Sequence, residues 1–324
     1  MAAPIIRRAL LYVPGSSQKM LDKSRGIASL DTVAYDLEDS VTPGKKAEAR
    51  ANLRQLLEQP RVPGIREQAV RINSVDSGYA LDDLTEVLKA PNLDALVIPK
   101  VNSASDLHFV TDVIRHTLPQ RHPSTPPAQP QPHQPQPLRL IALIESAKAL
   151  MDLPSICRST PYLSGLIFAA EDFALDLSLT RTPSLREFLY ARSAIVTAAR
   201  AHALPSAIDL VCTSFRGDAG RQALRDECAD GKALGFTGKQ LIHPGQVDVA
   251  HAAFAPAPAE AEWAVRVVVA DEKADAAGRG AWTLDGKMVD KPVVGKAAAV
   301  VRMAELCGTD VAALREKWKG QEPE

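Results

Sequence analysis

Two acidic residues stand where they could hold a metal ion. Glu145 is the last residue but one of the apolar segment RLIALIES, and Asp172 ends the segment GLIFAAED. If these segments are neighbouring parallel strands, their carboxyl ends meet at one edge and bring the carboxylates together. Mg²⁺ is commonly held by few carboxylates, which leave positions open for water and substrate oxygens. The pattern predicts a Mg²⁺ site; the alternative is a carboxylate pair satisfied by lysines or helix N-termini, and one residue of register decides between Glu171 and Asp172.

A cationic residue ends a third segment. Arg71 lies in VRIN, and its planar fork of N–H donors matches a carboxylate or a developing enolate oxygen. The alternative is a salt bridge to Asp36, Glu38 or Asp39, which end another segment, and both interpretations are compatible.

Other side chains at segment ends have weaker signals. Lys100 could form a Schiff base, although a lysine paired with nearby carboxylates is the commoner case. His243 in IHP could be a general base, or it could hold its loop by hydrogen bonds. Tyr12, Lys19 and Lys23 follow the first segment, and lysines four residues apart on one helix face could meet phosphates. Solvated lysines are the default interpretation there.

These residues can form one site only if the fold brings the C-terminal ends of their strands together. Eight short apolar segments, each followed by a helix-length stretch, predict an α/β fold of the (β/α)8 TIM-barrel type, with its chemistry at the C-terminal ends of the strands. No G-x-G-x-x-G follows an early segment to favour a dinucleotide fold. The predicted strands are 9–14, 32–39, 68–73, 95–100, 139–146, 165–172, 206–211 and 237–244.

Composition narrows the class of protein. The 324 residues, 46% of them hydrophobic, suffice for a full barrel core. With 38 basic and 39 acidic residues there is no global field for nucleic acid or an anionic membrane, so a small-molecule partner is favoured. Four scattered cysteines indicate reduced thiols of an intracellular protein. No apolar run is long enough to span a bilayer, and the first strand begins too early to leave room for a targeting peptide.

Two regions depart from the barrel pattern. Residues 119–137, rich in proline, glutamine and histidine, predict a disordered or polyproline-like loop on the face opposite the active site. A ligand for a proline-binding partner is the sharper alternative. We therefore expect a barrel over residues 1–250 and an appended subdomain over 251–324. In that subdomain, 260–277 and 296–307 look helical, and Asp285-Gly286 predicts a hairpin between them.

The chain as a whole resembles the citrate lyase β-subunit-like (HpcH/HpaI aldolase/citrate lyase) family, and most closely its mitochondrial members that cleave citramalyl-CoA. Any one motif is weak, but together and in order they are specific. The matching stretches are RRALLYVPG, DLEDSV, VRINSV, PKV, IESAKAL, EDFALDL, LYARSAIV, AIDLV, GFTGKQLIHPGQ and GKMVDKP.

The resemblance implies roles for individual residues. Glu145 and Asp172 match the family's Mg²⁺ ligands, and Arg71 matches its substrate-binding arginine. Asp290 matches a catalytic aspartate that family members place over the active site of a neighbouring subunit. Positions that contact the acyl-CoA are matched by Tyr12, Lys19 and Lys23, with Ile242 and His243 lining the same site. Periodicity alone would not have selected Asp290, which reads as a turn residue.

The resemblance also implies a function. We expect a Mg²⁺-dependent lyase that cleaves citramalyl-CoA to acetyl-CoA and pyruvate, or malyl-CoA to acetyl-CoA and glyoxylate. The extension over 251–324 would complete a neighbour's site in a homotrimer. The alternatives are malate synthase-type condensation of glyoxylate with acetyl-CoA and a non-catalytic acyl-CoA-binding or lyase-complex subunit. The implied location is the mitochondrial matrix, or the cytoplasm if the N-terminus is native.

Overall fold

Eight parallel strands form a closed barrel in the computed structural model, which describes residues 5–121 and 136–324. Each strand pairs with its sequence neighbours, and the last closes on the first. The strands are β1 (Ala9–Pro14), β2 (Leu30–Asp36), β3 (Ile65–Arg71), β4 (Ala95–Ile98), β5 (Arg139–Ile144), β6 (Leu163–Phe168), β7 (Ser206–Asp209) and β8 (Gly238–Leu241). The TIM-barrel prediction is confirmed.

Most strands end two to four residues earlier than the sequence predicts. The β6 segment, for example, was expected to run to Asp172, but the strand ends at Phe168 and a helix begins at Ala170. The predicted segments therefore include the first residues of the loops or helices that follow. The residues at the barrel mouth lie on these short connections.

The barrel interior alternates large and small apolar side chains. Its buried cluster comprises Leu10, Ala34, Ala69, Ala95, Val97, Ile141, Leu143, Ile167 and Ile208. Side chains of a strand alternate between its two faces, so residues two positions apart share a face. Asp36 therefore continues the inward face of Ala34, and Arg71 that of Ala69. Glu145 likewise follows Ile141 and Leu143.

The opposite end of the barrel is filled by a buried ion pair. Arg7, which precedes β1, donates from Nε and Nη2 to the carboxylate of Glu67 at 2.7 and 2.8 Å. It also donates to the hydroxyls of Ser164 and Ser206. Thr32 donates to Glu67 as well, and Arg139 lies 3.2 Å from it. This floor satisfies its own charges and concerns stability rather than chemistry.

Helices follow the strands throughout the barrel. They are α1 (Gln18–Ser24), α2 (Lys46–Glu58), α3 (Ala80–Val87), α4 (Ala104–Thr117), α5 (Ala147–Met151), α6 (Leu153–Arg158), α7 (Ala170–Leu177), α8 (Leu189–Ala201), α9 (Gly217–Leu234) and α10 (Val247–Phe254). Ser184 and Glu187 have the sequence spacing of a helix capping box, but they do not cap a helix. Glu187 instead accepts from the backbone and hydroxyl of Thr182, and α8 begins at Leu189.

The proline-rich loop is only partly described. Its first residues, Pro119–Arg121, form a short 3₁₀ helix instead of the expected disordered or polyproline-like structure. Arg121 is buried and donates to the carbonyls of Leu93 and Gln136, which holds both ends of the loop against the barrel. Residues 122–135 lie outside the described residues.

Residues 252–324 form a compact unit of their own. It contains α11 (Pro258–Ala276), the hairpin strands β9 (Trp282–Leu284) and β10 (Lys287–Val289), α12 (Lys291–Leu306) and α13 (Val311–Lys317). The hairpin prediction is confirmed: Asp285 and Gly286 have φ of 51° and 72°, as the favoured two-residue hairpin turn requires. Across the described residues, no helix is long and apolar enough to cross a membrane.

Candidate active site

The ends of β2 and β3 present an ion pair to the barrel mouth. Asp36 and Arg71 are partners in the strand register. Arg71 donates from Nε and Nη2 to the two carboxylate oxygens of Asp36, each at 2.7 Å. Burial opposes the charge of Asp36, but Arg71 and the hydroxyl of Ser40 more than offset it and lower its pKa. The carboxylate in turn raises the pKa of Arg71, so the pair is ionised and rigid.

Glu38 extends this pair toward β4. Its carboxylate lies 2.9 Å from Nη1 of Arg71 and 3.0 Å from Nζ of Lys100. Burial raises the pKa of Glu38 despite these cations. Burial alone would lower the pKa of Lys100, but the neighbouring carboxylate of Glu38 raises it. An amine that forms a Schiff base needs a lowered pKa, so this environment favours the ion-pair interpretation of Lys100.

Glu145 lies directly after β5 and is 5% exposed. Its Oε1 accepts a hydrogen bond from the backbone N–H of Lys100 at 3.0 Å. Burial raises the pKa of Glu145 to about 7, and the negative charges of Glu38 and Asp172 add to this effect. A buried carboxyl is thus held among other carboxylates.

Asp172 and Glu171 lie in the first turn of α7, just beyond β6, rather than on the strand. Glu171 is exposed and is paired with Arg181. Asp172 is half-buried, and within the described ranges its side chain has no hydrogen bond or ion pair. Both candidates line the same cavity, but they differ in their partners: Glu171 is paired with a cation, whereas Asp172 is the carboxylate without a partner among the described residues.

A cavity of about 500 Å³ opens at this end of the barrel. Arg71, Asp172, Tyr12 and Ile242 line it, together with Gln240. The guanidinium of Arg71 lies 4.7 Å from the centre of the Tyr12 ring. The arrangement is an acidic mouth with one fixed cation and an apolar wall.

A second cavity, of about 350 Å³, shares Tyr12 and Ile242 with the first. Lys23 and His243 line it. Nδ1 of His243 accepts a hydrogen bond from the N–H of Gly245. The imidazole ring stacks on the ring of Phe215, with 5.3 Å between the ring centres. This geometry favours the interpretation that His243 holds its loop.

The remaining predicted site residues are Lys19 and Asp290. Lys19 is exposed on α1 and lines neither of these cavities. Asp290 belongs to the unit of residues 252–324, where it is the N-cap of α12 and accepts from the N–H of Val293 at 3.2 Å. Its sequence position between a strand and a proline-initiated helix explains that capping role.

Sequence reasoning missed Gln240. This residue of β8 is buried, accepts from the hydroxyl of Tyr12 at 3.0 Å and donates to the carbonyl of Phe168 at 2.8 Å. It therefore fixes Tyr12 at the cavity. The alternation along Gly238, Gln240 and Ile242 was the available signal, because it places a polar side chain on the inward face.

Lys46 was also missed. It is buried behind the mouth and donates from Nζ to the carbonyls of Leu37 and Glu38 and to Oδ1 of Asn73. It secures the loop that carries Glu38. A lysine at the start of an amphipathic helix gives no sequence signal for this role.

A parallel barrel with ionised groups at its mouth is typical of a broad class of enzymes. Comparison with known proteins assigns the chain to one family within that class. The model of the HpcH/HpaI aldolase/citrate lyase family matches residues 8–244, and the chain belongs to this family. The chain is 35% identical over 309 residues to mitochondrial citramalyl-CoA lyase of Homo sapiens, covering 93% of this chain and 86% of that one. It is 35% identical over 298 residues to a (3S)-malyl-CoA thioesterase of Cereibacter sphaeroides, covering 92% and 94%.

A solved structure of CitE from Mycobacterium tuberculosis, in complex with magnesium, acetoacetate and coenzyme A, superposes with a TM-score of 0.70 at 27% identity. The match covers 94% of this chain and 99% of that one. The recognition of the family from its motifs is confirmed.

The donor set at the mouth suits a divalent cation. Among the described residues Glu145 has no ion pair, and burial first, then the negative charges of Glu38 and Asp172, raise its pKa. In the described part of the chain, no group of three or more histidine, cysteine, aspartate or glutamate side chains could hold a metal. Two carboxylates with open positions are the arrangement that Mg²⁺ accepts, since it retains water and substrate oxygens.

Proposed function

We propose that this protein is a Mg²⁺-dependent acyl-CoA lyase that cleaves citramalyl-CoA to acetyl-CoA and pyruvate. The observation that carries the proposal is the juxtaposition of Glu145 and Asp172 with the fixed guanidinium of Arg71 at the mouth of the barrel. A metal ion held by the two carboxylates would bind the hydroxy-acid half of the substrate. A cation beside it suits the thioester half.

Glu145 and Asp172 would hold the Mg²⁺. When bound, the ion supplies a Lewis acid for the oxygens of the hydroxy acid. Cleavage breaks the bond between the hydroxyl-bearing carbon and the carbon next to the thioester. The hydroxyl loses its proton as the keto group forms, and the acetyl carbon gains one.

Arg71 would stabilise the enolate of the thioester. An arginine has five N–H donors, and the two hydrogen bonds to Asp36 use one on Nε and one on Nη2. Nη1 lies 2.9 Å from Glu38 as an ion pair, and the donors that Asp36 does not engage can meet a substrate oxygen. Because the pair with Asp36 fixes the guanidinium before substrate arrives, no reorganisation accompanies the build-up of charge.

Asp290 would give the proton to the acetyl carbon. This role comes from its match to the family's catalytic aspartate, and it would be exercised on a neighbouring subunit of a homotrimer. Tyr12, Lys19, Lys23, Ile242 and His243 would contact the acyl-CoA; all but Lys19 line one or both cavities, which supports this assignment. The similarity to a mitochondrial citramalyl-CoA lyase supports a mitochondrial location for this protein.

A second function has support from a relative. The (3S)-malyl-CoA thioesterase is as similar in identity as the lyase, so hydrolysis of a thioester, after condensation of glyoxylate with acetyl-CoA, is the competing activity. The two pathways give different products from one acyl-CoA. A lyase releases acetyl-CoA and a keto acid, whereas a thioesterase releases free coenzyme A and leaves the hydroxy acid intact.

Product analysis separates these functions. Purified protein with Mg²⁺ is incubated with citramalyl-CoA or malyl-CoA, and the thioesters and acids are quantified by chromatography. The proposal expects acetyl-CoA and pyruvate in equal amounts from citramalyl-CoA. One methyl group discriminates by only about 1–3 kcal/mol, so malyl-CoA should also be cleaved, more slowly. Release of free coenzyme A without pyruvate would replace the lyase with the thioesterase.

A further inference from the structure

Lys100 has an unusual backbone conformation at the mouth of the barrel. Its φ is 50°, in the left-handed region that non-glycine residues rarely adopt. Such a conformation is strained for a residue with a side chain and persists only where the surrounding structure holds it. Lys100 follows β4 directly after Pro99, at the edge where Glu145 follows the neighbouring strand β5.

Both sides of this turn are anchored. The hydroxyl of Ser146, next to Glu145, donates to Oδ1 of Asn102 at 2.6 Å. The backbone N–H groups of Asn102 and Ser103 both donate to the carboxylate of Asp106, which fixes the start of α4. The chain that leaves Lys100 therefore has little freedom to relax.

The positive φ allows contacts in three directions from one residue. The N–H of Lys100 meets Oε1 of Glu145 at 3.0 Å, and the ammonium lies 3.0 Å from Glu38. The chain then continues to the contact between Asn102 and Ser146. With a negative φ and the same N–H direction, the side chain and the following peptide would point elsewhere. At least one of these contacts would be lost.

The bond to Lys100 leaves the second oxygen of Glu145 free. Oε1 is taken by the backbone N–H, and Oε2 has no hydrogen bond from any other described residue. We propose that Lys100 is a positioning residue for the metal site: its left-handed turn fixes the orientation of Glu145 and presents Oε2 to Mg²⁺. This inference rests on the proposed function, since it takes Glu145 as a Mg²⁺ ligand. Partners that orient a metal ligand typically contribute about 10–100-fold to metal affinity.

Binding of Mg²⁺ without substrate tests this role. The matched pair is Lys100→Gly and Lys100→Val, because both lose the ammonium and both keep the N–H. Glycine adopts the left-handed conformation freely, whereas a β-branched residue strongly disfavours it. By calorimetry, the valine variant should bind Mg²⁺ at least about tenfold more weakly than the glycine variant, with the same circular dichroism. Equal affinities in two folded variants would overturn the inference.

A second substitution covers the case in which Lys100→Val does not fold. Incorporating the α-hydroxy analogue of lysine at position 100 replaces the N–H by an ester oxygen and keeps the side chain and its charge. It should weaken Mg²⁺ binding about tenfold relative to the unmodified protein. Unchanged binding would contradict the role of Lys100.

A separate control addresses the metal site itself. Glu145→Gln should lower Mg²⁺ affinity strongly. If this variant and the unmodified protein bind Mg²⁺ equally, the metal site of the proposed function fails, and the role of Lys100 fails with it. If only the variants at position 100 are unaffected, the metal site stands and the positioning role alone is wrong.

Discussion

Arg71 and Asp36 form a bidentate ion pair across neighbouring strands, with both N···O distances at 2.7 Å. The side chain of Arg71 is 13% exposed and that of Asp36 is 1% exposed, so the pair is largely shielded from solvent. Its consequence is that the guanidinium has one orientation. An enolate oxygen can then be met by a charge that is already in position.

Arg71→Lys tests whether that orientation matters. Lysine keeps the positive charge but lacks the planar fork of arginine. Its single ammonium cannot bind both carboxylate oxygens of Asp36 and also contact Glu38. We expect kcat/KM for citramalyl-CoA to fall on the order of 10²-fold, with unchanged circular dichroism. Steady-state kinetics provide the measurement. A lysine variant with the original kcat/KM would show that only the charge is used.

Asp172 and Glu171 offer a matched comparison within one helical turn. Asp172→Asn removes the available carboxylate, so Mg²⁺-dependent turnover should fall at least about 10²-fold. Glu171→Gln removes an exposed carboxylate from Arg181, which keeps its contacts with Glu227 and the carbonyl of Val211, so turnover should stay within about threefold. The two variants are assayed across a range of Mg²⁺ concentrations. The opposite ranking would assign the metal to Glu171.

Asp290 can be changed without removing its helix cap. Asparagine caps a helix N-terminus as well as aspartate does, so Asp290→Asn removes the proton-transfer group and keeps α12 intact. The expected loss in rate is on the order of 10²–10⁴-fold, while acyl-CoA binding survives. Asp310→Asn is the control, since Asp310 caps α13 in the same way. Equal rates for both variants would exclude Asp290 from the chemistry.

Mixing two inactive variants tests whether sites are shared between subunits. Arg71→Ala and Asp290→Asn each spoil one half of a site. If Asp290 acts on a neighbour, random exchange at a one-to-one ratio restores Arg71 and Asp290 together in about a quarter of the sites. Activity is measured after subunit exchange, verified with differently tagged chains. No recovery despite exchange would place both halves in one chain.

The barrel floor predicts a pH-dependent stability. Burial opposes ionisation of Glu67, but Arg7, Arg139 and Thr32 outweigh it and lower its pKa from 4.5 to about 2. Because the pKa of Glu67 is lower in the folded state, its ionised carboxylate stabilises the fold fully at pH values above its pKa in the unfolded chain. This stabilisation is lost as the pH falls toward the pKa in the folded state. The difference in unfolding free energy between the unmodified protein and Glu67→Gln should shrink by about 2 kcal/mol from pH 6 to pH 3. Urea titrations that give a constant difference would contradict this.

The proline-rich loop should be dispensable between its anchors. Replacing residues 122–135 with a short Gly/Ser linker should leave turnover and melting temperature nearly unchanged, because loop length has a small effect on stability. Arg121→Ala should instead destabilise the protein by about 1–3 kcal/mol, since it leaves the carbonyls of Leu93 and Gln136 without their donor. A large loss from the linker variant would show that the loop packs or binds.

The sequence predicts the barrel because strand and helix periodicity alternate eight times. It also locates Arg71 and Glu145, which continue the inward faces of their strands. Gln240 was missed although strand alternation places it on the inward face, because the four-residue strand β8 also contains the charged Lys239 and has no clear polar–apolar pattern. The sequence does not reveal the conformation of Lys100, which depends on contacts with Glu145 and Ser146. Asp290 was found through resemblance alone, since nothing in its local pattern distinguishes a catalytic aspartate from a helix cap.

Formation of pyruvate from citramalyl-CoA tests the central claim most directly. The purified protein is treated with EDTA, desalted and assayed for pyruvate with a coupled dehydrogenase, before and after Mg²⁺ is added back. The account predicts no pyruvate without the metal and full, stoichiometric release of pyruvate and acetyl-CoA once Mg²⁺ is restored. Pyruvate formation at an undiminished rate in EDTA, or none under either condition, would contradict it.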